Sequence, residues 1–353
     1  MKKRISLLFA IILFSGCIRQ GSVSNPAEVP QTTSSPPPPE MLPALQPITL
    51  ENAGKIQLLR TMKIPDYSQG EISQCSIAFS PDGHLLVGAC GKNKVPVWEV
   101  KSGLIRHLLY ETPQHIVACD FSPDDVILAC GGFDRTITFW NSKTGEKISD
   151  FGSHVSPVWE LDFNPDGKRV VSCGLSDDVR LWDVARSETM WSYTGGQGYL
   201  SVSLHPSGNT VAYGSRWGNA GVLDAMTGKS ILKLDGPGNP VGDVSFSPSG
   251  KMLAAGTDDN RIYLWNTNDY QLVATLVGHR HYVNGVSFSP DETLLASGSH
   301  DRTVGIWDIV GGRLLRTLDG HTDVVLRVIF NPDGTLVASI SWDGTVRLWG
   351  VPR

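Results

Sequence analysis

A five-residue motif recurs seven times at nearly constant spacing, and that period constrains the chain more than any other feature. It reads Phe79-Ser80-Pro81-Asp82-Gly83 and returns at Phe121, Phe163, Leu204, Phe246, Phe288 and Phe330, in steps of 42, 42, 41, 42, 42 and 42 residues. Nineteen residues after each start stand Trp98, Trp140, Trp182, Leu223, Trp265, Trp307 and Trp349. Two markers held in register through seven units define an array in which each unit covers its apolar face with its neighbours. The signals inside a unit are all β. In the sixth, residues 283–289 alternate, 290–292 carry turn chemistry and 293–299 form a second strand. A second turn spans 300–302, a third strand 304–308, a Gly-Gly turn 311–312 and a fourth strand 314–318. Four short antiparallel strands per unit follow from this.

Gly278-His279, Gly320-His321, Trp182-Asp183 and Trp307-Asp308, with the Pro-Asp-Gly turns and the period, resemble the WD-repeat β-propeller family across residues 51–353. The resemblance implies an all-β, seven-bladed β-propeller of four-stranded antiparallel blades around a channel. The last unit stops at Arg353, before a fourth strand, whereas Lys55 to Met62 matches fourth strands such as residues 271–276 and 313–318 without a blade of its own. This N-terminal strand is expected to complete the last blade and remove two open sheet edges.

The family resemblance also implies a buried tetrad of His, Ser, Asp and Trp in each ideal blade. By spacing it is complete in blade six (His279, Ser297, Asp301, Trp307) and blade seven (His321, Ser339, Asp343, Trp349). Blade three keeps His154, Ser172 and Trp182 but has Ser176 at the Asp place. Blade two has Cys130 for Ser, blade five Ala255, and blade four Leu223 for Trp. A Ser, His and Asp together invite a nucleophilic triad, but here they occupy tetrad positions, and satisfied buried polar groups explain them better. Gly228-Lys229-Ser230 lacks the first glycine of a phosphate loop and reads as a turn. His279 and His281 have no carboxylate cluster beside them. No catalytic residue, cofactor or metal is expected, and the chain is read as a non-enzyme.

The N-terminus carries an export signal. A basic Lys2-Lys3-Arg4 precedes the apolar run 5–14, too short to span a bilayer, and then small residues. Phe14-Ser15-Gly16-Cys17 resembles a bacterial lipoprotein signal, with Phe14 where that family carries Leu. The resemblance implies removal of residues 1–16 and a diacylglyceryl thioether on Cys17, hence an exported, membrane-anchored, extracytoplasmic protein. Residues 17–50 are Pro-rich, with Pro36 to Pro39 in a row, and read as a tether. Its 33 residues after Cys17 would reach at most about 100 Å as polyproline.

Formal net charge is -5, and nucleic acid, which needs a basic surface, is disfavoured as a partner. Relative to the motif Phe, Cys75 and Cys90 stand at -4 and +11, Cys119 and Cys130 at -2 and +9. Both pairs sum to +7, one shared hairpin register within disulfide reach. Buried free thiols are the expectation and the two bridges the alternative. Cys173 would face Glu160 instead.

Two functions stay open, a monomeric scaffold that binds other proteins or peptide segments and an enzyme or small-ligand binder using the channel. Channel-lining positions read from the first strands are Ser76, Val117, Trp159, Leu200, Gly242, Asn284 and Leu326, mostly without catalytic chemistry. One face carries only regular turns. The other shows His115, Phe133, Trp159, Trp217, Tyr282, His300 and Trp342 at matching places. Aromatic side chains on one rim mark an interface, and partner binding is expected there. Filling a gap between blades is the competing reading for Trp159 and Trp217.

Overall fold

The motif turns are held by their short polar side chains, a serine and an aspartate in the first, second and sixth. In the first, the Ser80 hydroxyl donates to Asp82 (2.6 Å), while Asp82 accepts from the His84 amide (2.9 Å) and Ser80 from the Leu85 amide (2.8 Å). Gly83 closes the turn with φ of 71°, a left-handed conformation that costs glycine nothing. The same turn recurs at Ser122 and Ser289.

These turns sit in a computed structural model that describes residues 39–68, 74–92, 94–109, 114–176, 178–195 and 198–353. The export signal, Cys17 and most of the Pro-rich stretch lie outside the described residues. The repeat forms seven antiparallel sheets arranged as the blades of a propeller. Blade six is Val283–Phe288, Leu294–Ser299, Val304–Asp308 and Arg313–Leu318, the four strands expected. The first strand of each blade packs against that of the next, and the last meets the first.

Ring closure follows the expectation. Gln57–Lys63 pairs antiparallel with Thr345–Pro352 and becomes the outer strand of blade seven. A second closure lies upstream of residue 51. Leu45 and Gln46 pair with Pro352 and Val351, and Leu42 donates its amide to the Lys101 carbonyl of blade one (3.0 Å). The physical reason is the length of the C-terminal strand, which runs past the latch at Gly350 and exposes an edge. Ile48, Ala53 and Ile56 are buried with blades six and seven.

The core lies between blades, as in Val283, Val286, Leu295 and Trp307 packed on Ile262 and Leu264. Burying a side chain of this kind is worth roughly 1.5–3 kcal/mol. Six first strands share one irregularity. Val117, Trp159, Leu200, Gly242, Asn284 and Leu326 are skipped by the pairing with the second strand. Each is the extra residue of a β-bulge.

Cys75 is bonded to Cys90 and Cys119 to Cys130, so the free-thiol expectation is corrected for four cysteines. Direct opposition across the hairpin is the cause, with Cα–Cα separations of 4.5 and 4.2 Å. Cys173 stays free and buried, opposite Glu160 as read.

The rim around the channel mouth and the channel beneath it

The tetrads are built as expected in blades six and seven. The Trp307 indole donates to Ser297 Oγ (2.7 Å), which lies 2.6 Å from His279 Nε2, and His279 Nδ1 lies 2.8 Å from Asp301. Trp349, Ser339, His321 and Asp343 repeat this with 2.9, 2.8 and 2.8 Å. Burial pushes the Asp301 carboxyl up, but the hydrogen bonds from His279, Thr303 and the Arg280 amide together with the His279 charge outweigh it and hold the group well below the usual carboxylate range. Burial lowers the His321 imidazole despite Asp343, which keeps the ring neutral between its hydroxyl and carboxylate partners. Both serines are fully buried, out of reach of a substrate, and each hydroxyl accepts an indole N–H.

Blade three also has a complete tetrad. His154 lies 2.7 Å from Ser172 Oγ and 2.9 Å from Asp178 Oδ1. Asp178, the first residue of the third strand, replaces the aspartate that spacing places at Ser176. Spacing missed it because a carboxylate two residues further on reaches the same imidazole.

The structure sorts the seven rim residues into three groups. Tyr282, His300 and Trp342 form a cluster, with His300 at 5.0 Å from the Tyr282 ring and 5.8 Å from Trp342. Tyr67 donates its hydroxyl to the Trp342 carbonyl (2.8 Å). His115, Phe133 and Trp159 form a row with ring centroids 5.7 and 6.2 Å apart. Trp159 is 7% exposed and packs into the core of blades three and four, so gap filling describes it. Trp217 stands alone at 69% exposure, and gap filling fails for it. A cavity of about 330 Å³ unites Trp159, Tyr282, His300 and Trp342 with Arg216 and Asp258. His115, Phe133 and Trp217 do not line it. Burial raises the Tyr282 phenol and lowers the His300 imidazole, the latter helped by His281, so both are neutral donors and acceptors.

Below the rim the channel differs from its expected lining. A cavity of about 400 Å³ is walled by Asp120, Glu160, Asp162, Asp243 and Arg327 with Ser76, Ser203, Ser245 and Ser287. These polar residues lie one or three places before the motif residue. Six of the seven expected lining residues are the bulge residues; Ser76 lines this cavity, whereas Trp159, Leu200, Gly242 and Asn284 line the cavity at the channel mouth. A bulge inserts one residue, and a one-residue slip sends a strand's side chains to the opposite face. Counting alternation back from the motif Phe, rather than forward from the strand start, finds the polar set.

Most of these side chains bond the next blade. Asp162 accepts from the Leu204 amide (2.7 Å), Asp120 from Phe163 (3.1 Å), Asp243 from Val286 (2.8 Å) and Ser287 from Phe330 (3.1 Å). Arg327 spans the channel, pairing Glu160 of blade three at 2.8 Å and also Asp243 of blade five. Burial pushes the Asp120 carboxyl up to about 7, with Glu160 adding to it, and Glu160 up to about 8 against the pull of Arg327. Asp162 is raised well above its ordinary value by burial and by Asp120. Among the described residues no group of three or more His, Cys, Asp and Glu could hold a metal ion.

The family model of the WD domain, G-beta repeat, matches residues 59–99, 106–141, 145–183, 228–266, 270–308 and 312–350. Among similar proteins, a transcriptional corepressor of Arabidopsis thaliana is 32% identical over 122 residues, 34% of this chain and 15% of that protein. A guanine nucleotide-binding protein subunit beta of Oryza sativa subsp. japonica is 28% identical over 172 residues, 44% of this chain and 45% of its own length. Telomerase Cajal body protein 1 of Homo sapiens is 30% identical over 181 residues, 46% and 30% of the two chains. The chain thus spans less than half the length of each of these relatives.

Proposed function

The chain belongs to the WD domain, G-beta repeat family, and from that premise we propose that it is a protein-interaction scaffold. A peptide or protein segment of its partner docks across the irregular rim. The observation that carries this is the single cavity joining Trp159, Tyr282, His300 and Trp342 at the channel mouth. It offers flat apolar rings with neutral polar edges, the surface that anchors binding energy. Channel carboxylates bonded to backbone amides speak for a structural role and against channel chemistry. Among the relatives, one is by name a beta subunit and another a corepressor.

The test is crosslinked capture of partners by the intact protein. Substituting Tyr282, His300 and Trp342 together by Ala should abolish capture while the melting temperature holds. Capture that survives this triple change but fails after changes to the Ser-Pro-Asp-Gly turns would place the binding face on the other side.

The same reading holds the scaffold outside the cytoplasmic membrane by a lipid on Cys17, after removal of residues 1–16. The signal's order of basic, apolar and small residues supports it. So do two disulfides, which persist in oxidising compartments. Cys17→Ser should move the protein to the soluble fraction with the propeller still folded, and an unmodified mature N-terminus elsewhere by mass spectrometry would refute the anchor.

A further inference from the structure

The place taken by a polar tetrad in three blades is taken by another fastener in blades two, four and five, and blade one is fastened two residues beyond that place. In blades three, six and seven, Ser172, Ser297 and Ser339 of the second strand hold the His and the Trp together. The matching residue of blade four is Tyr213, whose ring lies 5.3 Å from Tyr199 and 5.9 Å from Tyr193. The matching residue of blade five is Ala255, and there Asp259 accepts from Tyr263 (2.8 Å) and Thr257 (2.5 Å). The matching residue of blade two is Cys130, bonded across the hairpin to Cys119. The matching residue of blade one is Gly88, and Cys90, bridged to Cys75, stands two residues beyond it.

Both bridges also brace the same blade. Cys75 and Cys90 lie in the core shared with Val324, Leu326 and Ile340 of blade seven, at the seam where the ring closes. Cys119 and Cys130 lie in the core shared with Val87, Val97 and Leu109 of blade one. Strand pairing alone closes the ring, so blade one is the first blade beyond a non-covalent joint, and one covalent bridge stands on each side of it. All four sulfur-bearing residues are at most 3% exposed, so a reductant reaches them only when these blades open.

We propose that the propeller is an oxidation-locked ring, in which Cys75–Cys90 and Cys119–Cys130 complete blades one and two and reduction loosens those two blades selectively. Each bridge forms by exchange with a disulfide-bearing protein oxidant. One cysteine thiolate attacks the oxidant's disulfide and gives a mixed disulfide. The second thiolate then displaces the oxidant, which leaves as a dithiol carrying the two electrons, while the protein's two thiol protons are released to solvent or to that dithiol. Reduction by a dithiol runs the same steps backwards. Blades three, six and seven keep their tetrads throughout, and Cys173 remains a thiol because Glu160, not cysteine, faces it.

The full chain, made with its own signal and purified without reductant, is denatured, alkylated and peptide-mapped. The expected result is both bridges intact and Cys173 the labelled thiol among the five propeller cysteines. Dithiothreitol should then lower the melting temperature by about 10 °C, with amide exchange protection lost first in residues 76–153 and kept in blades six and seven. Alkylation of all five cysteines before reduction, an unmoved melting temperature, or uniform loss of protection would each overturn the proposal. A Cys119→Val, Cys130→Ser variant restores the apolar and hydroxyl residues that blade six has at these places. Blade two of that variant should hold its protection in dithiothreitol to no greater loss than without it, and continued sensitivity there would overturn the proposal too.

Discussion

His279 shows how much of a blade hangs on one side chain. Its imidazole joins the fully buried Ser297 to the part-buried Asp301. Truncation removes one hydrogen bond from each, Ser297 keeping Trp307 and Asp301 keeping Arg280 and Thr303, and two such bonds are worth roughly 1–3 kcal/mol net. His279→Ala should therefore lower thermal stability by about that amount in a denaturant titration while partner capture persists. Loss of capture at unchanged stability would make His279 a binding residue instead. Asp178 carries the complementary lesson. A tetrad place that spacing fills with Ser176 is filled in space by a residue two positions away, since the imidazole selects a carboxylate within about 3 Å, not a sequence number.

The decisive element is the latch. Gln57–Lys63 supplies the outer strand that the C-terminal repeat lacks, and without it Thr345–Pro352 presents a bare edge ready to pair with another molecule. Deleting residues 51–64 should lower the melting temperature and promote aggregation, read by scattering during a thermal ramp. Deleting residues 39–48 should cost less, because that strap pairs only Leu45 and Gln46 with the C-terminal strand. Equal stability of the latch deletion and the full chain would refute the closure.

On the scale of the whole ring, the channel carboxylates couple stability to pH. Asp120 and Asp162 have no ion-pair partner among the described residues, as Arg327 is committed to Glu160 and Asp243. An unfolded aspartate loses its proton near pH 4, whereas burial holds Asp120 protonated to about pH 7 in the folded ring. Across that window the native state binds more protons than the unfolded one, so this contribution to stability falls as pH rises. His300 and His321, lowered by burial, act in the opposite sense near their ordinary value. The comparison is therefore made between proteins. The melting temperature at pH 5 minus that at pH 8 should be smaller in Asp162→Asn than in the unchanged chain. An identical difference would mean that Asp162 titrates in the folded ring as it does unfolded.

The sequence alone determined the number of blades, the strands within them, the two best tetrads and the latch. All of these rest on periodicity and turn chemistry, which act between residues near in the chain or at one fixed offset. Tertiary structure decided what depends on register and on contact across the ring. The six bulges gave the first strands two linings, Trp159, Leu200, Gly242 and Asn284 on the cavity at the channel mouth and Asp120, Glu160, Asp162, Asp243 and Arg327 on the wall below it. Trp159 and Trp217 look alike in sequence, yet one is buried between blades and the other exposed. Cys75 and Cys90, with Cys119 and Cys130, were opposed by arithmetic in either redox state, and only the close approach of the paired strands joined them. A repeat unit carries its own strands in its sequence, but the packing of one unit on the next sets which side chains share a cavity, and that information is spread over residues about forty positions apart.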